Sequence, residues 1–328
     1  MATIVDVAKL AGVTPTTVSR VINNRGYISE KTKSKVHEAM DQLSYQPNEI
    51  ARSLTKQRSN TIGVIVPHIS HPYFSKLISN LENEAAKKDY KIILCNSKDT
   101  ATKEKKYLDM CKSNRVDGII LCSGNVEYNM INTGNIPIVL LEKNFEKGKL
   151  GIQCDNYQGG CLATEHLIKC GCKRIVHFSG VIDEEMPADN REKAFIDICN
   201  KNNVEYFIKK FDINAYNEMN YYEYIKNTLS EIDGVDGIFA SSDLIAAQVI
   251  QVCYELNIKI PRDIKLVGFD DVEISQLTTP TITTIQQPIK EMAKLAIHLI
   301  DAKYTNTEIL EQTILPVDLV VRRSTSVE

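Results

Sequence analysis

Hydrophobic positions follow two different periods along this chain, and the change falls near residue 60. Before that point, apolar residues recur at helical spacing, so that two short helices can pack on each other through Ala8, Leu10, Val13, Val18, Val21 and Ile22. After it, short apolar runs without polar alternation are separated by helical segments, which is typical of parallel strands buried on both faces. The pattern predicts a small helical unit followed by an α/β unit.

The N-terminal segment predicts a helix, a tight turn and a second helix. Thr3 can cap the first helix with Asp6 as its acidic capping-box partner, and Gly12 tolerates the positive φ of the turn. Thr14 can cap the second helix, and Pro15 suits the first helical position because its missing N–H and fixed φ do no harm there. This is the order of elements in a DNA-reading helix-turn-helix.

The second helix leaves small hydrogen-bonding side chains and one arginine facing outward, namely Thr16, Thr17, Ser19, Arg20 and Asn23. These groups suit phosphates and a base edge in the major groove. Residues 1–58 hold nine Lys/Arg against five Asp/Glu, a net of +4, so the remaining 270 residues carry −7 of the whole-chain −3. The alternative is a three-helix bundle with an ordinary solvated basic face, but the turn residues and the local charge favour a DNA-binding unit.

The second part of the chain predicts two similar α/β halves. The tetrapeptide VDGI opens a predicted strand at 116–119 and again at 235–238, which suggests an internal duplication. The fold class is therefore α/β, with an N-terminal helix-turn-helix followed by two doubly wound lobes and a cleft between them. The predicted strands cover residues 61–67, 91–97, 117–123, 136–142, 174–180, 205–211, 236–242 and 264–270, and the predicted helices cover 75–89, 103–114, 190–203, 220–232 and 244–257.

Polar and aromatic residues follow these predicted strands, where ligands bind in doubly wound sheets. Carboxylates, an arginine, amides and aromatic faces are what a polyhydroxylated sugar requires, since each hydroxyl both donates and accepts. Taken alone, Asp243 could simply cap the helix that follows it. The candidate effector-binding residues are His71, Tyr73, Phe74, Ser123, Glu142, Arg191, Ser242, Asp243, Asp270 and Gln287.

Composition excludes several classes of protein. Hydrophobic residues make up 43% of the chain, yet no apolar run approaches 18 residues and no N-terminal signal segment is visible, which favours a cytoplasmic protein without a membrane partner. The nine cysteines mostly lie in apolar runs and are expected to be reduced core thiols. Cys170 and Cys172 have the wrong spacing for a zinc or redox motif, so no metal or cofactor is expected. An enzyme is disfavoured, because there is no nucleophile elbow and no phosphate-binding glycine loop.

Longer motifs carry a family resemblance. The segments TIVDVAKLAGVTPTTVSRVIN and SEKTKSKVHEAMDQLSYQPNEIARSL resemble the DNA-binding headpiece and hinge of the LacI/GalR family of bacterial transcription regulators. TIGVIVPHISHPYF, DGIFASSD, LVGFDD and TTIQQP resemble that family's periplasmic-binding-protein-like effector domain. PTTVSRVIN, RGYISEKT and CNSKDTATKEKKYLDM are also similar to sucrose-operon repressors of low-GC Gram-positive bacteria, whose effector is a fructose-type sugar.

The resemblance implies a division of the chain and a set of DNA contacts. Residues 1–47 would form the headpiece, 48–59 the hinge, and 60–328 the effector-binding and dimerisation domain, with lobe 1 at about 60–157 and 288–318 and lobe 2 at about 158–287 and 319–328. In the family the second helix enters the major groove of a palindromic operator, and a hinge helix orders on DNA. Pro15, Thr16 and Arg20 would face bases, while Thr17, Ser19 and Asn23 would hold phosphates. The other DNA-binding residues that the resemblance implies are Thr3 and Thr14 in the headpiece and, in the hinge, Asn48 as its cap, Ala51, Arg52 and the wedge Leu54.

The resemblance also implies an effector, and here this sequence departs from the common pattern. It places Tyr73, Phe74, Glu142, Arg191, Ser242, Asp270 and Gln287 in the cleft. Glu142 and Ser242 stand where Asp and Asn are frequent in sugar-binding relatives. In the DNA-binding helix, Pro15 offers no side-chain donor, so Thr16 and Arg20 must contribute more of the base recognition. No leucine heptad follows the last motif, which predicts a homodimer. The sequence leaves two modes of control open: a small sugar or sugar phosphate that releases a sugar-operon repressor, or a phosphorylated carrier protein.

Overall fold

The structure is a computed structural model that describes residues 2–46, 58–98, 100–123, 134–145, 148–181, 186–305 and 307–326. The chain divides into two compact units, Met1–Ser59 and Asn60–Glu328. No helix among the described residues is long and apolar enough to cross a membrane. All nine cysteines are free and most are buried, as their positions in apolar runs predict.

The first unit contains three helices, α1 (Ile4–Ala11), α2 (Pro15–Ile22) and α3 (Glu30–Gln42). The predicted capping box is confirmed, because the Thr3 hydroxyl accepts from Asp6 N while the Asp6 carboxylate accepts from Thr3 N at 2.8 Å. Gly12 has φ +68° in the turn, and Thr14 caps α2 by accepting from Thr17 N. The helix-turn-helix therefore begins and ends at the residues whose chemistry predicts it.

The core of the first unit is made by one stripe from each helix. Val7, Ala8 and Ala11 on α1 are buried, and they pack with buried residues of α2 and α3 such as Val18. The prediction that Leu10 joins this core is wrong, because 50% of its surface is exposed. At about 100° per residue, Leu10 lies more than a quarter turn around α1 from the centre of the buried stripe.

The first of two sheets in the second unit has six parallel strands. Its order is β11-β5-β4-β3-β1-β2, and every neighbouring pair is parallel. Two helices, α4 (Pro72–Ala86) and α12 (Ile289–Thr305), share one core with the sheet, and α5 (Ala101–Ser113) belongs to a second core. This assembly is called lobe 1. Its strands are β1 (Thr61–Val66), β2 (Lys91–Asn96), β3 (Gly118–Leu121), β4 (Ile138–Leu141), β5 (Leu150–Cys154) and β11 (Gln312–Leu315).

The second sheet, called lobe 2 with its helices, repeats this plan with one antiparallel edge. Its order is β12-β10-β9-β8-β6-β7, and only β12 runs antiparallel to its neighbour. Its strands are β6 (Arg174–Val181), β7 (Glu205–Phe211), β8 (Gly237–Ala240), β9 (Lys265–Asp270), β10 (Thr283–Gln286) and β12 (Asp318–Val320). Its helices are α6 (Asn156–Lys169), α7 (Asn190–Asn202), α8 (Ile213–Glu218), α9 (Tyr222–Glu231), α10 (Asp243–Glu255) and α11 (Ile274–Leu277), with a 3₁₀ turn at Pro187–Asp189.

The chain passes between the lobes three times, after β5, after β10 and after β11. The predicted α/β fold with a small helical unit is confirmed, and every predicted strand is present. The prediction that all these strands are buried on both faces is wrong for β2 and β7, whose residues are largely half-exposed. Both are edge strands, so one side of each lacks a covering neighbour.

Helix α6, like the longer α12, is an element that the hydrophobic pattern did not predict. Gly159 and Gly160 lie in its first turns, where glycine normally disfavours a helix. A Cβ at Gly160 would lie 2.6 Å from the carbonyl oxygen of Arg191 in α7. The glycine is therefore required by the close approach of α6 and α7, and this approach fixes the start of α7.

Candidate functional site

In the first unit, the candidate surface is the outward face of α2. Pro15, Thr16 and Arg20 are exposed, while Thr17 and Ser19 are half-exposed. Within the described part of this unit, the Arg20 side chain makes no ion pair and no hydrogen bond, so its guanidinium is available to an external partner. Asn23 is more constrained, since its amide donates to Ser19 O at 2.8 Å and one of its two donors is already occupied.

One exposed residue of the first unit was not predicted, and four predicted residues lie outside the described part of the chain. Tyr27 is 99% exposed in the loop between α2 and α3, next to Gly26 with φ +73°. An aromatic residue in a polar loop that also contains Arg25 was the available sequence signal. The proposed hinge residues Asn48, Ala51, Arg52 and Leu54 lie outside the described residues.

In the second unit, the candidate site is a cavity of about 170 Å³ between the two lobes. It lies beyond the carboxyl ends of strands from both sheets, as the doubly wound topology predicts. The structure brings eight of the ten candidate residues to its wall: His71, Tyr73, Phe74, Glu142, Arg191, Ser242, Asp270 and Gln287.

Lobe 1 contributes the first turn of α4. His71 caps this helix, with its ring nitrogen Nδ1 accepting from Tyr73 N at 3.3 Å, and burial lowers the pKa of His71 to about 4. Pro72 occupies the first helical position and directs Tyr73 and Phe74 toward the cavity. The Tyr73 hydroxyl is buried and has no hydrogen-bond partner among the described residues. An unpaired buried hydroxyl is costly, and a ligand in the cavity could satisfy it.

Lobe 2 contributes a rigidly held guanidinium. Arg191 Nε donates to Asn156 Oδ1 at 2.7 Å, and Nη1 donates to the Ser241 carbonyl at 2.6 Å. The guanidinium carbon also lies 3.5 Å from the centre of the Phe269 ring. These contacts fix the plane of the side chain. No hydrogen bond from the described chain reaches Nη2, so one donor edge remains for a ligand.

Asn156 links the two lobes beside the cavity. Its amide nitrogen donates to Glu142 Oε2 at 3.0 Å, while its amide oxygen accepts from Arg191. The other carboxylate oxygen of Glu142 accepts from Cys154 N at 2.5 Å. Burial raises the pKa of Glu142, and these hydrogen bonds oppose the shift. Asn156 was not predicted as a site residue, because it follows β5, a strand that the hydrophobic pattern did not reveal.

Asp270 is a buried carboxyl with a strongly perturbed pKa in the cavity. It is 4% exposed, and its Oδ1 accepts from Gln287 Nε2 at 2.7 Å. Burial raises its pKa to about 7, although the nearby Arg191 charge opposes this shift. The backbone of Asp270 has φ +113°, which is unusual for a residue other than glycine and typical of functional sites. In the described structure Gln287 Oε1 is buried without a partner, and it adds a free acceptor beside the carboxylate.

Two candidate residues do not reach the cavity. Asp243 is completely buried, and its two oxygens accept from Val272 N at 2.9 Å and from the Thr284 hydroxyl at 2.6 Å, so it joins β10 to the loop after β9. Ser242, not Asp243, caps α10 by accepting from Ile245 N. Ser123 is 1% exposed and is not part of the cavity wall. Both predictions failed because position after a strand does not say which way a side chain points.

An aromatic wall opposite α4 was also not predicted. It consists of Phe211 at the end of β7 together with Tyr216 and Tyr221 from the following segment. Near it, His68 Nε2 lies 3.1 Å from Asn217 Oδ1, and Lys76 Nζ donates to the Asp271 carbonyl at 2.7 Å. These last two contacts bridge the lobes and hold the cleft closed.

The cavity therefore offers free acceptors, a fixed donor edge and aromatic faces. These features suit binding of a ring with several hydroxyls, since hydroxyls can both donate and accept and aromatic faces can cover the ring. Over the described ranges, no group of three or more His, Cys, Asp or Glu residues is placed to hold a metal ion.

Known proteins match this chain over both units. A model of bacterial regulatory proteins of the lacI family matches residues 3–48, and a model of a periplasmic binding protein-like domain matches residues 164–325. The chain is 38% identical to a sucrose operon repressor from Streptococcus mutans over 98% of both proteins. It is 35% identical to a ribose operon repressor from Halalkalibacterium halodurans over 99% of this chain and 97% of that protein.

A solved structure matches the second unit. It is a periplasmic binding protein/LacI transcriptional regulator from Alkaliphilus metalliredigens in complex with D-xylulofuranose, with a TM-score of 0.74 and 33% identity. The match covers 82% of this chain and 100% of that one.

Proposed function

The chain belongs to the lacI family of bacterial regulatory proteins, which are DNA-binding transcriptional repressors, and we propose that it represses a sugar-utilisation operon until a small sugar binds its cavity. The observation that carries this proposal is the cavity between the lobes, in which polar atoms from both lobes, Tyr73 Oη and Gln287 Oε1, have no partner among the described residues. Such atoms are expected where a polar ligand completes the hydrogen bonding.

The DNA partner is a palindromic duplex bound by a homodimer. The exposed Arg20 and the small polar residues around it fit a recognition helix, and the net +4 of residues 1–58 supplies the attraction to phosphates. In this proposal Arg20 and Thr16 contact bases. Thr17 and Ser19 contact phosphates, and Leu54 from the hinge enters a central base step.

The effector is a small carbohydrate. The related regulator with D-xylulofuranose in its solved complex supports a sugar, as do the sugar operons in the names of the relatives. In this chain Asp270, Arg191 and Gln287 would bind hydroxyls, while Phe74 and Tyr216 would cover ring faces.

The two lobes each contribute ligand contacts, and this division links ligand binding to control of DNA binding. Tyr73 and Glu142 belong to lobe 1, and Arg191 and Asp270 belong to lobe 2, so a ligand touching all four stabilises the closed cleft. If closure disfavours the DNA-bound dimer by about 1–3 kcal/mol, operator affinity falls by about 5- to 150-fold. The sugar would then act as an inducer.

An operator-release assay tests the proposal. Fluorescence anisotropy of a labelled operator should show release of the wild-type protein by a single sugar from a panel of pentoses and hexoses. Asp270→Asn should bind the operator with unchanged affinity but no longer respond, because it removes a carboxylate from the cavity and leaves the first unit intact. Asp318→Asn is the matched control, since Asp318 is exposed and lies outside the cavity.

A phosphorylated carrier protein is the competing effector. The proposal fails if no sugar or sugar phosphate binds the protein while such a carrier does, because the cavity would then have no role in control.

A further inference from the structure

The charges of the cavity wall show which kind of sugar can enter. Among the described wall residues, the carboxylates are Glu142, Asp189 and Asp270, and the sole permanent cation is Arg191. His71 is neutral at pH 7, because burial lowers its pKa to about 4. The wall is therefore neutral to negative.

The single cation is already largely engaged, and Nη2 is the one nitrogen of its guanidinium that no described group occupies. Arg191 uses Nε and Nη1 for Asn156 and Ser241, and its face covers Phe269. The nearby lysines are also engaged outside the wall, since Lys76 donates to the Asp271 carbonyl and Lys143 donates to the Ser123 carbonyl at 2.5 Å. A phosphate ester carries about −1.5 to −2 charges at pH 7 and needs several charge-assisted donors, which this wall does not supply.

The helix ends at the cavity do not compensate, although helix N-termini commonly bind anions. At α4, Pro72 has no N–H and Tyr73 N is bonded to His71. At α10, Ser242 caps the helix by accepting from Ile245 N, and the acidic residue of the first turn is the buried Asp243. At α7, the first turn contains Glu192. Each N-terminus is thus capped or faces a carboxylate of its own.

The size of the cavity limits the ligand to one ring. A cavity of about 150 Å³ holds benzene, whereas drug-sized ligands occupy about 300–1,000 Å³. At about 170 Å³ this cavity encloses one monosaccharide ring, and a second linked ring would have to extend beyond its walls.

Building on the proposed function, we infer that the effector is an uncharged single-ring sugar and that the cavity excludes phosphate esters of the same sugar. Burying an uncompensated anion beside Asp270 and Glu142 should weaken binding of the ester by at least about 100-fold. The exclusion follows from the charges of the cavity wall, and it selects the free sugar over its phosphate ester as the molecule that controls operator binding.

Titration calorimetry on the full-length protein tests the inference with D-fructose, fructose 1-phosphate, fructose 6-phosphate, D-ribose, ribose 5-phosphate and sucrose as probes. At least one free monosaccharide should bind, and its phosphate esters should bind about 100-fold or more weakly. Met186→Lys places a cation at a partly exposed wall position. It should reduce the ratio of free-sugar affinity to ester affinity by about 10-fold. Met186→Gln, similar in length but uncharged, should keep the ratio near the wild-type value.

Three other results of the calorimetry would each contradict a different part of this account. Equal or tighter binding of an ester overturns the exclusion of phosphates and leaves the sugar-controlled repressor standing. Tighter binding of sucrose than of the monosaccharides overturns the single-ring limit. If no carbohydrate binds while operator binding persists, the proposed function falls and this inference falls with it.

Discussion

Asp270→Asn should stabilise the second unit while abolishing its response to sugar, and the gain in stability should depend on pH. The carboxyl is buried and its pKa in the folded protein is about 7, against about 3.9 in an unfolded chain. Between these values the unfolded state has released its proton and the folded state has kept it. The free energy of unfolding therefore falls as pH rises from about 4 to about 7, and it changes no further above that range.

The size of the effect follows from the difference in pKa. Three pKa units correspond to a loss of about 4 kcal/mol at pH 8, of which roughly a third has already occurred at pH 5. Asparagine has the same shape, can accept from Gln287 Nε2 and tolerates a positive φ better than most residues. Asp270→Asn should therefore be more stable than the wild type by a margin that grows by about 2 to 3 kcal/mol between pH 5 and pH 8.

Urea unfolding at several pH values measures this margin. The chain has no tryptophan, so far-UV circular dichroism and tyrosine fluorescence are the suitable probes. Asp318→Asn, at an exposed position, should change stability by less than about 0.5 kcal/mol at every pH. A stability difference for Asp270→Asn that is the same at pH 5 and pH 8 would refute the raised pKa, and with it the account of this carboxyl as a buried ligand group.

Four further substitutions test other parts of the account. Arg20→Ala should weaken operator binding by about 1–3 kcal/mol and relax base preference at one position per half-site. Asn23→Ala should weaken binding to all DNA sequences alike. If Arg20→Ala lowered affinity for specific and random DNA by the same factor, that result would contradict base reading by Arg20. Tyr73→Phe should leave the ligand-free protein at least as stable and weaken sugar binding in calorimetry by about 5- to 10-fold, because the hydroxyl is unpaired without ligand. Asn156→Ala should destabilise the protein by about 1–3 kcal/mol and weaken sugar binding, because it removes the hydrogen bonds to Glu142 and Arg191 together. Normal sugar affinity in this variant would show that the link between the lobes is dispensable.

Local sequence chemistry was sufficient for the first unit. Thr3, Gly12, Thr14 and Pro15 each have a conformational preference that acts over a few residues, and the structure has the caps and the turn at those positions. The resemblance to the LacI family is likewise confirmed by relatives that match over nearly the whole chain. These relatives are repressors, in agreement with the prediction of a regulator in place of an enzyme.

The cavity was only partly predictable, because its geometry depends on contacts between distant residues. Periodicity located the strand ends, and so it found Arg191 and Asp270, but it could not show that Asp243 turns inward to hold β10. Asn156 was missed because it follows β5, a strand that the hydrophobic pattern did not reveal, and because the glycine pair of α6 disfavours a helix; a Cβ at Gly159 would meet the Phe269 ring, and one at Gly160 would meet the carbonyl of Arg191. Tertiary packing overrode local propensity at this point.

The central claim is that operator and sugar compete through one protein, and reciprocal linkage tests it most directly. Sugar affinity is measured by calorimetry with the full-length dimer, first free and then saturated with operator, and operator affinity is measured with and without saturating sugar. The account predicts that each ligand weakens the other by the same factor, about 5- to 150-fold. Sugar affinity that is identical in the presence and absence of operator would contradict it.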